Sequence, residues 1–370
     1  MSGRVTVGLL FGGASVEHEV SIVSARGVAR ALDPDRFEIV PIAVTGDGRW
    51  LQPEPSGVIL ASEAVRVVSG GPAEPRIVVD PGAGGLIRIA SGAAGAKLPV
   101  DVVFSVVHGW GGEDGRIQGL LDLAGLPCVG PGVLGSAIGM DKAIAKALFQ
   151  ERGLPVAPWR ALLRDEWRRD RAAVEARLVA ELSLPLFVKP ANGGSSVGIS
   201  KVRAAGGLGT ALGAAFAHDR KVVVEAGLDA REIECAVLGN DDPQVSVAGE
   251  VLPSREFYDY ASKYEDGTSR LLIPAPLEPA VAEKIRGLAI EAFRALDLAG
   301  MARVDFFLEK AGGRTFLNEV NTLPGFTPIS MYPKLWEASG LGYRDLLARL
   351  IDLARERFAE ERRRATRRDA

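Results

Sequence analysis

The residues best placed to do chemistry lie in ARVDFFLEKAGGRTFLNEVNTLPG. Arg303 and Asp305 share one face of a strand by its period of two, and Glu319 and Asn321 share one face of the next. Paired as a hairpin, these strands bring Asp305, Glu319 and Asn321 together as three oxygen ligands. Hard oxygen donors without His or Cys suit Mg²⁺, whose shell is usually completed by water and substrate phosphates. Arg303 beside them can neutralise a phosphoryl group in transfer. The alternative is a set of polar cross-strand pairs on a solvated face. Against it, both acids sit between apolar neighbours (VDF and NEV), where converging carboxylates without a cation are costly. The proline and glycine of NTLPG then set a rigid turn at the site.

A second cluster, KPANGGSSVGIS, spans Lys189 to Ser200. Its glycines let backbone amides approach phosphate oxygens, and Ser195 and Ser196 add hydroxyl donors. A plain hairpin turn explains the glycines and serines equally well. Lys189 tips the balance, because a lysine closing an apolar strand otherwise lacks a partner. A third glycine-rich start, LLFGGASVEHE, has the strand–glycine–helix form that offers amides to an anion. It lacks the GxGxxG spacing, and GxxxxGK[ST] is absent from the chain, so dinucleotide and P-loop sites are disfavoured.

The elements that must position these residues fall into three stretches. The first third alternates strand and helix: VTVGLLF, then EHEVSIVSARGVARAL, then FEIVPIAV and DVVFSVVHG. Nearly continuous apolar runs of that kind suit buried parallel strands. Gln52 to Pro99 reads as an appended hairpin or long excursion. A helix in GRIQGLLDLAG, a short strand near Cys128 and one helix from about Ser136 to Glu151 follow. In the middle, LFVKPA, ISKV, KVVVEAG, EIECAVLG and VSVAGEV are short strands with a helix around Leu208 to His218, which suits an antiparallel α+β domain. A long helix (Ala280 to Leu296), the two strands above and terminal helices complete the chain.

Composition narrows the function classes. The 370 residues suit two or three domains around a cleft. With 44 basic against 47 acidic side chains, a polyanion-binding surface is disfavoured, so nucleic acid is not an expected partner. Cys128 and Cys235 sit in apolar runs and read as buried and reduced. No stretch has the form of a leader or of a membrane span, so the expectation is a cytoplasmic protein with no membrane partner.

Taken in order, these motifs resemble the D-alanine–D-alanine ligases of the ATP-grasp superfamily. HGWGGEDGRIQG (His108 to Gly119) is similar to one family signature, and ARVDFF followed by NEVNTLPG to the other. LFGGASVEHEVS, KPANGGSSVGISKV, EFYDYASKY and PGFTPISMYP also match in order, over nearly the whole chain. The resemblance implies a three-domain ATP-grasp architecture of α/β and α+β class. Residues 1–135 would form an N-terminal parallel α/β substrate domain, 136–228 the central subdomain and 229–370 the C-terminal catalytic domain.

The resemblance also implies ATP and Mg²⁺, with Mn²⁺ as a substitute, acting on D-alanine. Lys142, Lys189, Ser195, Ser196 and Lys263 would meet the phosphates, Glu225 the adenine and Glu232 the ribose, with Asn318 and Glu319 completing the nucleotide site. Asp305, Glu319 and Asn321 would hold the metal, in agreement with the reading of the residues. Glu17 would pair with the first D-alanine's ammonium, supported by Ser195 and Tyr264. His108, Lys263 and Ser330 would contact substrate. Arg303 and the Gly325 amide would form an oxyanion hole. On their own terms, Glu17 could equally stabilise a helix first turn, and His108 could be a packed histidine. Trp110 and the short stretch after Tyr264 depart from the family pattern. Relatives that form the D-lactate ester carry histidine at the position of Tyr264, so this chain is expected to favour the amide. A homodimer is implied as well.

Overall fold

The computed structural model describes residues 3–62, 76–90, 93–252, 270–327 and 329–363. The N-terminal apolar run forms β1 (Val5–Gly12), followed by α1 (His18–Ala31), β2 (Phe37–Val44), β3 (Trp50–Leu51) and α2 (Pro53–Ala61). Then β4 (Arg76–Asp80), β5 (Gly85–Ala90), β6 (Ala93–Leu98) and β7 (Val102–Ser105) complete a seven-stranded sheet in the order β6-β5-β4-β3-β2-β1-β7. β1 runs parallel to both β2 and β7, and its Val7, Leu9, Leu10 and Phe11 are fully buried. A strand covered on both faces needs no polar alternation, which explains its continuous apolar run. Within the stretch from Gln52 to Pro99, the described strands β4, β5 and β6 join this same sheet and widen it as an antiparallel meander.

After α3 (Arg116–Leu123), the single helix expected up to Glu151 is instead two, α4 (Val133–Met140) and α5 (Lys142–Glu151). Asp141 breaks it. Its backbone is extended and its carboxylate caps α5 by accepting from the amides of Ala143 and Ile144, both at 3.1 Å. The break places Lys142 in the first turn of α5, where its amide donates to Ala191 at 2.9 Å.

β8 (Trp159–Leu163), α6 (Arg164–Arg169), α7 (Arg171–Leu182), β9 (Leu186–Pro190), β10 (Ser200–Val202), α8 (Leu208–His218) and β11 (Lys221–Ala226) form the middle unit, an antiparallel sheet ordered β10-β9-β11-β8. β12 (Ala230–Gly239), β13 (Gln244–Val245), β14 (Gly249–Leu252), β15 (Arg270–Leu272), α9 (Pro279–Ala295), β16 (Gly300–Glu309), β17 (Thr315–Asn321), α10 (Met331–Ala338) and α11 (Tyr343–Glu361) follow. Their sheet runs β15-β14-β12-β16-β17, with β13 paired to β12. The short middle strands of the sequence therefore divide between two sheets: EIECAVLG joins the strand that carries Arg303.

α11 packs back against β7 and α1, and α10 against α11 and β12, so one core contains Leu9 and Phe104 together with Met301, Leu347 and Ile351. Phe326 is fully buried within it, 5.6 Å from the Phe104 ring and 5.8 Å from Tyr332. This shared core fixes the first and third units relative to each other. Both cysteines are free and buried, and burial pushes their thiols up, to about 11 for Cys128 and about 12 for Cys235. Among the described residues no helix is long and apolar enough to cross a membrane.

Candidate active site

The three units meet at a cleft of about 440 Å³. Glu17 and His108 reach it from the first, Lys142 and the Gly193–Ser195 loop from the second, and Arg303, Glu319 and Asn321 from the third. β16 and β17 pair as the hairpin expected, with Asp305 opposite Glu319 and Arg303 opposite Asn321. Both acids are engaged by cations of the protein. Arg303 donates from Nε to Asp305 Oδ1 at 2.8 Å and from its terminal nitrogen to Oδ2 at 2.7 Å. Lys142 Nζ lies 3.6 Å from Glu319, and Asn321 Oδ1 accepts from the Leu323 amide at 3.2 Å.

Among the described residues no group of three or more His, Cys, Asp or Glu side chains is gathered as a metal site. The donor set nonetheless fits a hard divalent cation: two carboxylates and an amide oxygen on adjacent strands, in a wall where Arg303 and Lys142 already supply positive charge. Burial opposes the Arg303 charge, but Asp305 and Glu234 outweigh it and hold the guanidinium protonated well above its usual range.

The serine loop is strapped down at its base. Lys142 Nζ donates to the Gly193 carbonyl at 2.7 Å, and Asn192 donates from its amide to Asp219 at 2.8 Å. At its tip, Ser195 Oγ donates to Glu17. A Cβ on Gly194 would stand 3.1 Å from Glu17 Oε2 and press on that carboxylate. Ser196 lies next in the loop, half-buried, with φ of 59°. Behind the loop, Lys189 pairs with Glu225 at 2.9 Å and approaches Asn318 Oδ1 at 3.4 Å. The Glu225 carboxylate is turned to lysines. Glu232 stands opposite Phe307 on β16 and adds its negative charge to the field at Lys189.

At the other end, His108 is buried with Nδ1 3.4 Å from Glu113 Oε1 and Nε2 3.3 Å from Ser24 Oγ. Burial works against its charged form, but the Glu113 hydrogen bond and the charges of Glu113 and Glu17 outweigh it, so the imidazole titrates above its ordinary value. Ser330 Oγ accepts from the Thr327 amide at 3.0 Å, and a Cβ on Gly325 would come within 2.7 Å of that hydroxyl. Lys263 and Tyr264 lie outside the described residues.

Three residues of this site escaped the sequence reading. Glu113 buttresses His108. Glu234 stands 3.0 Å from Arg303 Nε and was signalled by its period-two spacing from Glu232. Lys146, almost fully buried, pairs with Glu225 at 3.1 Å and was signalled by its four-residue spacing from Lys142.

Two family models match the chain: D-ala D-ala ligase N-terminus over residues 6–131 and D-ala D-ala ligase C-terminus over residues 148–352. The chain belongs to the D-alanine–D-alanine ligase family. A D-alanine–D-alanine ligase of Geobacillus thermodenitrificans is 46% identical over 361 residues, covering 97% of each chain. Among solved structures of the family, the D-alanine–D-alanine ligase of Coxiella burnetii superposes with a TM-score of 0.83 at 36% identity, over 97% of this chain and 96% of the other. The VanG D-Ala:D-Ser ligase of Enterococcus faecalis gives 0.81 at 34% identity, over 95% of this chain and all of the other. The chain is thus an ATP-dependent ligase of ATP-grasp fold that acts on small molecules and uses a divalent metal.

Proposed function

We propose that the protein joins two D-alanine molecules into D-alanyl-D-alanine for peptidoglycan precursor synthesis, by way of an acyl phosphate. The observation that carries this reading is the meeting, in one cleft, of Glu17, the serine loop and the Arg303–Glu319–Asn321 wall. A carboxylate resists attack by an amine because its leaving group would be oxide. Transfer of the γ-phosphoryl of ATP to the first D-alanine carboxylate makes an acyl phosphate and ADP. The neutral amine of the second D-alanine then attacks the carbonyl, and the C–O bond to phosphate breaks.

Each charge in that sequence has a counterpart among the residues. Glu17 accepts the ammonium of the first D-alanine, while Ser195 holds the Glu17 carboxylate in place. Lys142, Lys189 and the Ser195–Ser196 amides face the phosphates. Arg303 and the Gly325 amide stabilise the tetrahedral oxyanion, a kind of contact commonly worth about 3–4 kcal/mol. His108 and Ser330 border the substrate end. Asp305, Glu319 and Asn321 would hold Mg²⁺ (or Mn²⁺), which lowers the repulsion between nucleophile and phosphate. Water must be kept out, or the acyl phosphate hydrolyses.

We also assign residues 1–135, 136–228 and 229–370 as the substrate, central and catalytic domains, which agrees with the change of sheet between Ala226 and Ala230. A cytoplasmic homodimer fits the family likeness and the intracellular supply of ATP. Mass spectrometry of products formed from ATP, Mg²⁺ and D-alanine, with D-serine, D-lactate and L-alanine as competitors, tests the substrate assignment. D-alanyl-D-alanine is the expected main product, and Glu319→Gln is expected to abolish it. A main product containing D-serine or D-lactate would refute the choice of second substrate.

A further inference from the structure

α5 carries Lys142 and Lys146 on one face, a helical turn apart. Lys142 reaches the cleft, but Lys146 does not: its exposure is 1%, and Nζ donates to the Asn318 carbonyl at 2.9 Å. The same ammonium lies 3.1 Å from one oxygen of Glu225, while Lys189 takes the other at 2.9 Å. Two cations therefore share a single buried carboxylate. Lys189 with Glu225 alone would form a neutral pair, with hydrogen bonds but no net charge to offer an anion. With Lys146 added, these three groups carry one net positive charge inside the wider field of Glu232 and Glu319, and Lys189 is the member nearer the serine loop.

We propose that Lys146 is a positioning residue that, by sharing Glu225, leaves Lys189 a net cation toward the polyphosphate of the nucleotide. This rests on the reading above that Lys189 faces phosphate.

Counting charge gives the test. Lys146→Met reduces the group to zero, Glu225→Gln raises it to two, and the double variant restores one. The readout is calorimetric titration with ADP in the presence of Mg²⁺, alongside thermal unfolding of each variant. Lys146→Met is expected to weaken ADP binding by about ten-fold, the scale of one unit charge roughly 10 Å away at an effective dielectric near 20. The double variant is expected to recover to within about three-fold of the parent, whatever its unfolding temperature. ADP affinity unchanged in Lys146→Met, or a double variant no tighter than Lys146→Met, would overturn the proposal, since a merely structural lysine gives no rescue. If Lys146→Met does not fold, the double variant is compared with Glu225→Gln. About ten-fold weaker binding supports the proposal, and equal binding overturns it. A parent chain that binds no ADP would overturn the nucleotide reading itself, and this inference with it.

Discussion

Ser195 and Ser196 adopt left-handed backbone conformations, with φ of 48° and 59°. Each such non-glycine residue costs on the order of 1–2 kcal/mol, so the serine loop stores about 2–4 kcal/mol. Among the hydrogen bonds that oppose that strain are Ser195 Oγ to Glu17 and Lys142 Nζ to Gly193, each with one charged partner. Bonds of this kind contribute about 1.5–3 kcal/mol each. Each bond is thus of the same size as the strain at one residue, so losing the Ser195 bond should weaken docking of the loop. Ser195→Ala removes one bond and keeps the strain. At 1.4 kcal/mol per factor of ten, kcat/KM for D-alanine should fall by about 10- to 150-fold. Ser195→Gly removes the same bond but also the strain at that residue, less the entropy glycine adds to the unfolded chain, a net relief of about 1 kcal/mol. Glycine should therefore be about five-fold more active than alanine at this position, reversing the usual order. Steady-state dipeptide formation measures both variants, and hydrogen exchange of the amides of residues 193–198 reports docking independently. An alanine variant within two-fold of the parent, or a glycine variant slower than the alanine one, refutes the reasoning.

Two further outcomes follow from the geometry. Glu113→Gln should lower the titration of His108, followed by NMR of the imidazole. Because the folded protein raises this group, its contribution to stability is full below the ordinary value of 6.5 and is lost as pH rises through the folded value. The variant should lose that contribution on the acid side, and an unmoved His108 titration would contradict the role given to Glu113. Phe326→Ala should cost about 3–5 kcal/mol in urea unfolding, since the fully buried ring stands between Phe104 and Tyr332. A loss below about 1 kcal/mol would mean that this contact does not tie the first unit to the third.

The strand pair that carries Asp305, Glu319 and Asn321 was legible because period-two spacing fixes which side chains share a face, and the short GG-containing link forces the strands to pair. Glu17 and Ser195 were found through their motifs, although the contact between them spans 178 positions. What the sequence hid were residues whose meaning depends on distant partners. Lys146 reads as an ordinary helical lysine until Asn318, 172 positions away, comes beside it. Glu234 reads as one more strand acid until Arg303 is in register nearby. Helical periodicity continues across Met140–Lys142, so the break at Asp141 is set by its capping bonds and the bridge to Asn192, not by an interruption in the pattern. Likewise, period-two alternation identifies strands but does not say which sheet each will join. That is why β12 and β14 read as neighbours of β11.

The most direct test of the account follows the carboxylate oxygen. With D-alanine labelled with ¹⁸O in its carboxylate, turnover with ATP and Mg²⁺ should place one ¹⁸O atom in the released phosphate for each dipeptide formed. The C–O bond of an acyl phosphate breaks on the carbonyl side, so the label must leave with phosphorus. Dipeptide formation with unlabelled phosphate would contradict activation of D-alanine by phosphoryl transfer in this cleft.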